Sequence, residues 1–169
     1  LNRQNIGIIT LIPKQDKDQR YIGNLRPITL LSTFYKIISG IITNRLKPIL
    51  DRLINPWQKA YLPGRYIAEV TRTTYDIFAH AKHNNLPGLL LLVDFSKAFD
   101  SISFEYINQV LEKFGFNQQT IGWINILLYN FESIAMVNGV PPPRRINLGR
   151  GCRQGDPIAG YLFILSIEV

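Results

Sequence analysis

The most apolar run of the chain, Leu89–Val93, ends at a carboxylate, Asp94. Four leucines followed by a valine predict a strand that is buried on both faces. A carboxylate at the end of such a strand costs free energy unless a cation, a partner side chain or solvent compensates its charge. Because Mg²⁺ prefers oxygen ligands, Asp94 and the backbone carbonyl of Phe95 form a candidate cation site. The alternative is that Asp94 caps the next helix or pairs with a lysine.

Strands and helices are mixed along the chain, which predicts an α+β fold. Short apolar runs predict strands at 6–12, 25–31, 133–137 and 146–148. Helical spacing predicts helices at 32–55, 66–83, 103–114 and 117–128, and a last helix from 156. The apolar side chains expected to face the core in the first two helices include Phe34, Ile37, Ile38, Ile41, Ile42, Leu46, Ile77 and Phe78.

Polar residues mark the predicted helix starts. Ser32 or Thr33 and Asn117 are expected N-caps, because their side chains accept hydrogen bonds from the first helical turn. Asp156 followed by Pro157 predicts the start of the last helix, with the aspartate as its cap.

The charge is unevenly distributed. Residues 1–65 hold 11 basic and 3 acidic residues, whereas residues 66–169 hold 8 basic and 9 acidic residues. A basic half beside a balanced half favours a polyanion partner, with a merely soluble basic surface as the alternative. One cysteine excludes an internal disulfide and fits a reducing compartment, and no apolar run reaches the roughly 18 residues of a membrane span. Because the chain does not begin with methionine, we interpret it as part of a longer polypeptide.

A glycine-bracketed loop precedes the last predicted helix. Gly151 and Gly155 enclose Cys-Arg-Gln, so the backbone can bend sharply and approach a ligand, and Gln154 could hydrogen-bond a sugar or a base. Four arginines without an acid among them form a candidate phosphate site: Arg144, Arg145, Arg150 and Arg153. The alternative is a structural loop that enters a buried helix.

The predicted hairpin of residues 6–31 carries two further cations near its turn. Lys14 and Arg26 could both reach a triphosphate, although an exposed basic hairpin is the simpler interpretation. Backbone N–H groups of the turn after Asp94 could also face an anion.

Four segments of the chain, in this order, resemble the reverse transcriptase domain of LINE-type (non-LTR) retrotransposons. They are ITLIPK with NLRPITLLSTFYKIISGIITNRL, then QKAYLPGR, then LLVDFSKAFDSI and finally RGCRQGDPIAGYLFILSIE. The resemblance covers essentially the whole chain. It implies a right-hand polymerase, with mostly fingers over about 1–88 and mostly palm, an antiparallel sheet packed on helices, over about 89–169. The family's aromatic-x-Asp-Asp hairpin and its thumb have no counterpart in this sequence.

The resemblance also implies roles for individual residues. Asp94 would be the catalytic carboxylate and, with the Phe95 carbonyl, a metal ligand, and the ring of Phe99 would exclude a ribose 2′-hydroxyl. Residues expected at the incoming dNTP are Lys14, Arg26, Ser96, Lys97, Ala98, Phe99, Gln154 and Gly155. Residues expected at the nucleic acid are Arg65, Arg150 and Arg153.

The implied activity is RNA-directed DNA synthesis. A primer 3′-hydroxyl would attack a dNTP on an RNA template, with two Mg²⁺ ions, or Mn²⁺, as cofactor. The expected partners are therefore an RNA template, a DNA primer and dNTPs, with no membrane, in the nucleus or a cytoplasmic ribonucleoprotein. Without the Asp-Asp pair, the 169 residues alone are expected to be inactive. The alternative function is a non-catalytic nucleic-acid-binding remnant of a retroelement.

The charge asymmetry predicts weak, salt-sensitive binding of an RNA–DNA hybrid through the first 65 residues. Affinity should fall steeply between low and moderate salt, because bound cations are released from the phosphates. Fluorescence anisotropy across a salt series measures this slope. An affinity that stays flat would contradict the electrostatic interpretation.

Overall fold

The computed structural model describes residues 6–129, 131–137 and 139–169. Four strands are present in this part of the chain: β1 (Ile6–Pro13), β2 (Leu25–Leu30), β3 (Glu132–Ala135) and β4 (Ile146–Asn147). The helices are α1 (Thr33–Leu53), α2 (Ala68–His83), α3 (Ala98–Ser101), α4 (Phe104–Lys113), α5 (Gln118–Leu128) and α6 (Ala159–Ile167), with a 3₁₀ turn at Ile22–Asn24. The α+β class predicted from the sequence is confirmed.

The strands form one sheet in the order β2-β1-β3-β4. The hairpin of β1 and β2 is antiparallel, and Pro27 lies on the edge strand β2, where a missing N–H costs no ladder hydrogen bond. Within residues 89–169, where an antiparallel sheet is expected, β3 and β4 pair antiparallel, whereas β3 pairs in parallel with β1 from the first part of the chain. A parallel pair needs a long crossover, and the helices between the two strands supply it. The sheet also joins residues from both sides of position 88.

Local capping follows the sequence predictions. Ser32 accepts a hydrogen bond from the Tyr35 amide at 3.2 Å, and Asn117 accepts one from the Thr120 amide at 2.8 Å. Each bond satisfies an N–H group that has no partner within the helix.

The core lies where α1, α4, α5 and α6 pack together. Its most enclosed side chains are Leu46, Leu50, Ile107, Leu111, Ile124, Ile158, Leu162, Ile164 and Leu165. The chain's hydrophobic effect is therefore concentrated in these four helices.

The expected inner face of α1 is confirmed only in part, because Ile42 and Leu46 are buried but other members of that face are not. Phe34, Ile37 and Ile41 are each at least half exposed, whereas Tyr35 and Ser39 on the other side are buried. Ser39 looks like a surface residue in the sequence, but its hydroxyl finds a buried carboxylate partner described below. A polar group with a hydrogen-bond partner can be buried at little cost, so polarity alone did not reveal that the buried face of α1 includes Ser39.

The expected buried strand at Leu89–Val93 is also wrong. The segment belongs to no sheet, and its five side chains are exposed, Leu89 by 94%. Helix α2 likewise buries none of its residues, with Ile77 and Phe78 exposed. An apolar run becomes a buried strand only where a sheet pairs with it, and no described strand lies beside this one. None of the described helices is long and apolar enough to cross a membrane.

Two isoleucines of α5 offer a matched test of this packing. Ile124 is fully buried and Ile126 is 70% exposed. Replacing Ile124 with alanine should lower the free energy of unfolding by about 2–5 kcal/mol, because a cavity is left in the core. Replacing Ile126 should change it by less than about 0.5 kcal/mol. Urea denaturation measures both, and equal effects would contradict the described orientation of α5.

Candidate active site

The turn after Asp94 is set by one left-handed residue. Lys97 has a φ of 51°, a conformation that side-chain-bearing residues adopt only where contacts hold them in it. Ser101 donates to the Lys97 carbonyl at 2.9 Å, which fixes the turn from within. Asp94, Ser96 and Lys97 are exposed, so Asp94 does not carry the burial cost expected from the sequence.

The glycine-bracketed loop packs on α3, the short helix that continues this turn, and on the residue after it. The Gly151 amide donates to the Ile102 carbonyl at 2.8 Å, and the Cys152 amide donates to the Phe99 carbonyl at 2.7 Å. Gly151 has a φ of +91°, and a Cβ there would lie 3.1 Å from the Asp100 Cα. Glycine is therefore needed both for the backbone conformation and for the close approach.

The other end of the loop packs on the hairpin. The Gln154 carbonyl accepts a hydrogen bond from the Thr29 amide at 3.0 Å. Gly155 has a φ of +107°, and a Cβ there would lie 2.8 Å from the Thr29 carbonyl oxygen. The loop thus joins β2 to the turn after Asp94, and three segments predicted to share a site are in contact.

Phe99 lies at the centre of this junction. Its ring centroid is 4.9 Å from that of Phe163 on α6 and 6.1 Å from that of Tyr61, which it meets edge-on. The side chain is partly buried against the core. Phe99 therefore combines a packing role with a position beside the exposed turn.

Arg153 lies inside the protein rather than on its surface. Its guanidinium donates to the Tyr35 hydroxyl at 2.7 Å and to the Leu127 carbonyl at 2.6 Å, and it covers the ring of Phe131 at 3.3 Å. With the side chain only 5% exposed, its expected contact with nucleic acid is wrong for this structure. The sequence suggested a phosphate ligand because it could not show which carbonyl groups surround the arginine.

The carboxylate of Asp156 completes this buried group. It accepts hydrogen bonds from Tyr35 at 2.6 Å and from Ser39 at 2.5 Å, and it lies 3.7 Å from Arg153. Helix α6 begins at Ala159, and Asp156 also accepts a hydrogen bond from the Ile158 amide just before it at 3.3 Å. Burial, and then the charge of Asp156, raise the pKa of Tyr35 well above its usual range.

The pKa of the neighbouring Cys152 thiol is raised by the same two causes as that of Tyr35. Burial, and then the charge of Asp156, raise the pKa of Cys152 to about 12. Cys152 is therefore an unreactive thiol at neutral pH, which agrees with its packing in the core.

Comparison with known proteins identifies the family. Over residues 12–169 the sequence matches the family described as "Reverse transcriptase (RNA-dependent DNA polymerase)". The chain belongs to the reverse transcriptase family.

The relatives come from non-LTR retrotransposons, which confirms the LINE-type resemblance. The chain is 35% identical to the "Transposon TX1 uncharacterized 149 kDa protein" of Xenopus laevis, over 96% of this chain and 12% of that protein. It is 30% identical to the "Retrovirus-related Pol polyprotein from type-1 retrotransposable element R2" of Popillia japonica, over 91% of this chain and 21% of that protein. It thus spans between an eighth and about a fifth of the length of these relatives.

The other predicted cations of this reverse transcriptase chain occupy different environments. Lys14 donates to the Gly23 carbonyl at 2.8 Å within the hairpin turn. Arg26 and Arg150 are exposed, and neither side chain has a hydrogen bond or ion pair within the described residues. Arg145 pairs with Glu132 at 2.5 Å, so the expected arginine cluster is divided between the surface, an ion pair and the core.

Arg65 holds the end of α1. Its guanidinium donates to the carbonyl groups of Asp51, Ile54, Asn55 and Gln58 at 2.6–3.0 Å and pairs with the Asp51 carboxylate. The guanidinium thus joins the last turn of α1 and its C-cap Ile54 to the loop that follows the helix. Its donors are occupied by the protein, and a contact with nucleic acid stays a prediction.

The described residues do not form a two-metal site on their own. Within residues 6–129, 131–137 and 139–169 no group of three or more His, Cys, Asp or Glu side chains could hold an ion. Asp94 and the Phe95 carbonyl would offer oxygen ligands to Mg²⁺ or Mn²⁺, but two ions need more ligands than this pair supplies.

Two arginines of the loop region offer a test of the buried group. Replacing Arg153 with leucine should lower the free energy of unfolding by about 3–5 kcal/mol, because the Asp156 charge is left buried without its partner. Replacing the exposed Arg150 with leucine should change it by less than about 0.5 kcal/mol. Urea denaturation curves of both variants measure the two free energies of unfolding. Equal stabilities would contradict the buried position of Arg153.

Proposed function

We propose that the polypeptide containing this chain is an RNA-directed DNA polymerase, to which the chain contributes fingers and palm. The reverse transcriptase family and the non-LTR relatives support the reaction class. The observation that carries the proposal is the contact between three segments: the loop of residues 151–155 bonds both to the turn after Asp94 and to β2.

In the proposed complex, the dNTP lies beside this junction. The hairpin brings Lys14 and Arg26 to the triphosphate side, while Gln154 and Gly155 line the other side through the loop that bonds to Thr29. Backbone N–H groups of residues 96–98 face the phosphates from the turn, since a left-handed residue exposes successive amides to an anion. Phe99 meets the sugar and leaves no room for a 2′-hydroxyl.

The proposed reaction is nucleotidyl transfer. The primer O3′ forms a bond to the α-phosphorus of the dNTP, the bond to the bridging oxygen breaks, and pyrophosphate leaves. The residues of this chain orient the triphosphate and the sugar, which lowers the entropic part of the barrier. Asp94 supplies one carboxylate, and the complete enzyme needs further oxygen ligands for its Mg²⁺ ions or for Mn²⁺ in their place.

The partners in this proposal are an RNA template, a DNA primer and dNTPs. The exposed cations of the hairpin and of α1 support contact with a nucleic-acid backbone. We expect an intracellular protein, either in the nucleus or in a cytoplasmic ribonucleoprotein. The 169 residues alone are proposed to be inactive.

An Asp94→Asn variant tests the proposal in the full-length polypeptide. Primer extension on an RNA template should be lost, because an amide does not bind a cation as a carboxylate does. The melting temperature should stay unchanged, since Asp94 is exposed and makes no hydrogen bond or ion pair within the described residues. Extension assays and thermal denaturation measure the two effects.

Glu105→Gln is the matched control, because it makes the same change of carboxylate to amide at an exposed position on α4. It should leave extension intact. Full activity in Asp94→Asn would remove Asp94 from the catalytic set. Hybrid binding without extension by the wild-type full-length polypeptide would favour the nucleic-acid-binding remnant.

A further inference from the structure

We infer that Tyr61 is a positioning residue for Phe99 and thereby determines how strongly ribonucleotides are excluded. The inference rests on the proposed function and extends it to a loop far from the turn after Asp94 in the sequence. Three observations support it: a strained backbone at Tyr61, a slot in α6 that accepts its ring, and the contact between the two aromatic rings.

The backbone of Tyr61 is held in an unfavourable conformation. Its φ is +64°, in the left-handed region that bulky residues rarely adopt. The Leu62 amide donates to the Ala60 carbonyl at 2.9 Å, and the Ala60 amide donates to the Gln58 side chain at 3.0 Å. Such strain persists only where the surrounding contacts determine the geometry, and it often accompanies a functional position.

The ring of Tyr61 occupies a slot that exists because residue 160 is glycine. A Cβ at Gly160 would lie 2.5 Å from the ring Cδ1 and 2.9 Å from Cε1. Glycine within a helix costs free energy relative to alanine, so its presence in α6 needs a reason. Close approach of the Tyr61 ring supplies that reason.

From this slot the Tyr61 ring meets Phe99. The two ring centroids are 6.1 Å apart with an interplanar angle of 88°, an edge-to-face arrangement. The Phe163 ring packs against Phe99 at 4.9 Å, and the Cys152 amide holds the Phe99 carbonyl. Tyr61 and Phe163 therefore both restrict the ring that would meet the sugar.

The consequence concerns specificity rather than the chemical step. A ring excludes a 2′-hydroxyl only if it cannot move aside, so the discrimination depends on what restricts it. Tyr61 is half exposed, and its removal takes one restricting contact from Phe99 while the contacts with Phe163 and Cys152 remain. Tyr61 acts through Phe99 and need not touch the nucleotide.

The first experiment measures sugar discrimination in the full-length polypeptide. The ratio of kcat/KM for a dNTP and its matching rNTP is compared between wild type and variants. Phe99→Val gives the ratio expected when the exclusion of the 2′-hydroxyl is lost. Tyr61→Ala should lower the ratio by about 3- to 10-fold, the range expected for one aromatic contact. Gly160→Ala should lower it similarly, because the added methyl displaces the Tyr61 ring.

Two control variants separate the contact from general effects. Tyr61→Phe keeps the ring and should keep the wild-type ratio. Tyr75→Ala makes the same change of side chain at a 71% exposed position on α2 and should also leave the ratio unchanged. A merely structural role of Tyr61 would reduce kcat/KM for both sugars alike and leave the ratio constant.

The second experiment tests the slot in the 169-residue chain by thermal denaturation. Gly160→Ala should lower the melting temperature of the wild type, because the methyl collides with the Tyr61 ring. In the Tyr61→Ala background the same substitution should raise it by about 1–4 °C, since alanine favours the helix. Alanine at position 61 still has a Cβ, so the cost of the positive φ there is retained. The double-mutant cycle therefore measures the interaction of residue 160 with the Tyr61 ring alone.

The outcomes distinguish this inference from the proposed function. A lowered ratio in Phe99→Val with a wild-type ratio in Tyr61→Ala would overturn the role of Tyr61 and leave the polymerase proposal standing. An unchanged ratio in Phe99→Val would overturn both the exclusion of ribonucleotides by Phe99 and the role of Tyr61. No dNTP extension by the wild type would overturn the proposed function and, with it, the inference.

Discussion

The buried group around Arg153 connects more of this structure than any other set of polar contacts in the described residues. Its partners come from the start of α1, the end of α5, the residue before β3 and the loop before α6. A buried ion pair adds little stability over an apolar pair of the same size, but a single missing partner is costly. We interpret the group as a geometric constraint: it permits only the arrangement in which every donor and acceptor is paired.

The candidate site depends on this constraint. Arg153 belongs to the loop whose flanking residues bond to the turn after Asp94 and to β2. Because the arginine is anchored in the core, its contacts help to hold the loop backbone on both sides of it. Gly151 and Gly155 then permit contacts with Phe99, Asp100 and Thr29 that a Cβ would prevent. Under the proposed function, a backbone held by protein contacts in this way would help to position a nucleotide.

The sequence predicted local structure well and long-range partners poorly. Ser32 and Asn117 were identifiable as caps because a cap depends only on residues within one helical turn. The burial of Ser39 on α1 was missed because its hydroxyl donates to Asp156, which is distant in sequence. Leu89–Val93 was misassigned because strand formation depends on a neighbour that periodicity does not reveal. The role of Tyr61 had no sequence signal, since only the fold brings it to Gly160 and Phe99.

The structure also changes how the charge of the first 65 residues is understood. Arg65 and Asp51 form one ion pair, Arg20 and Asp18 form another, and both are local to the protein. The excess positive charge is therefore carried by other cations of the hairpin and α1, among them Lys17, Arg26, Lys36, Arg45 and Arg52. These side chains are exposed, and a phosphate backbone is attracted by charge that remains accessible and uncompensated. The electrostatic surface thus lies on the elements that flank the candidate site, while the paired and buried arginines keep those elements in position.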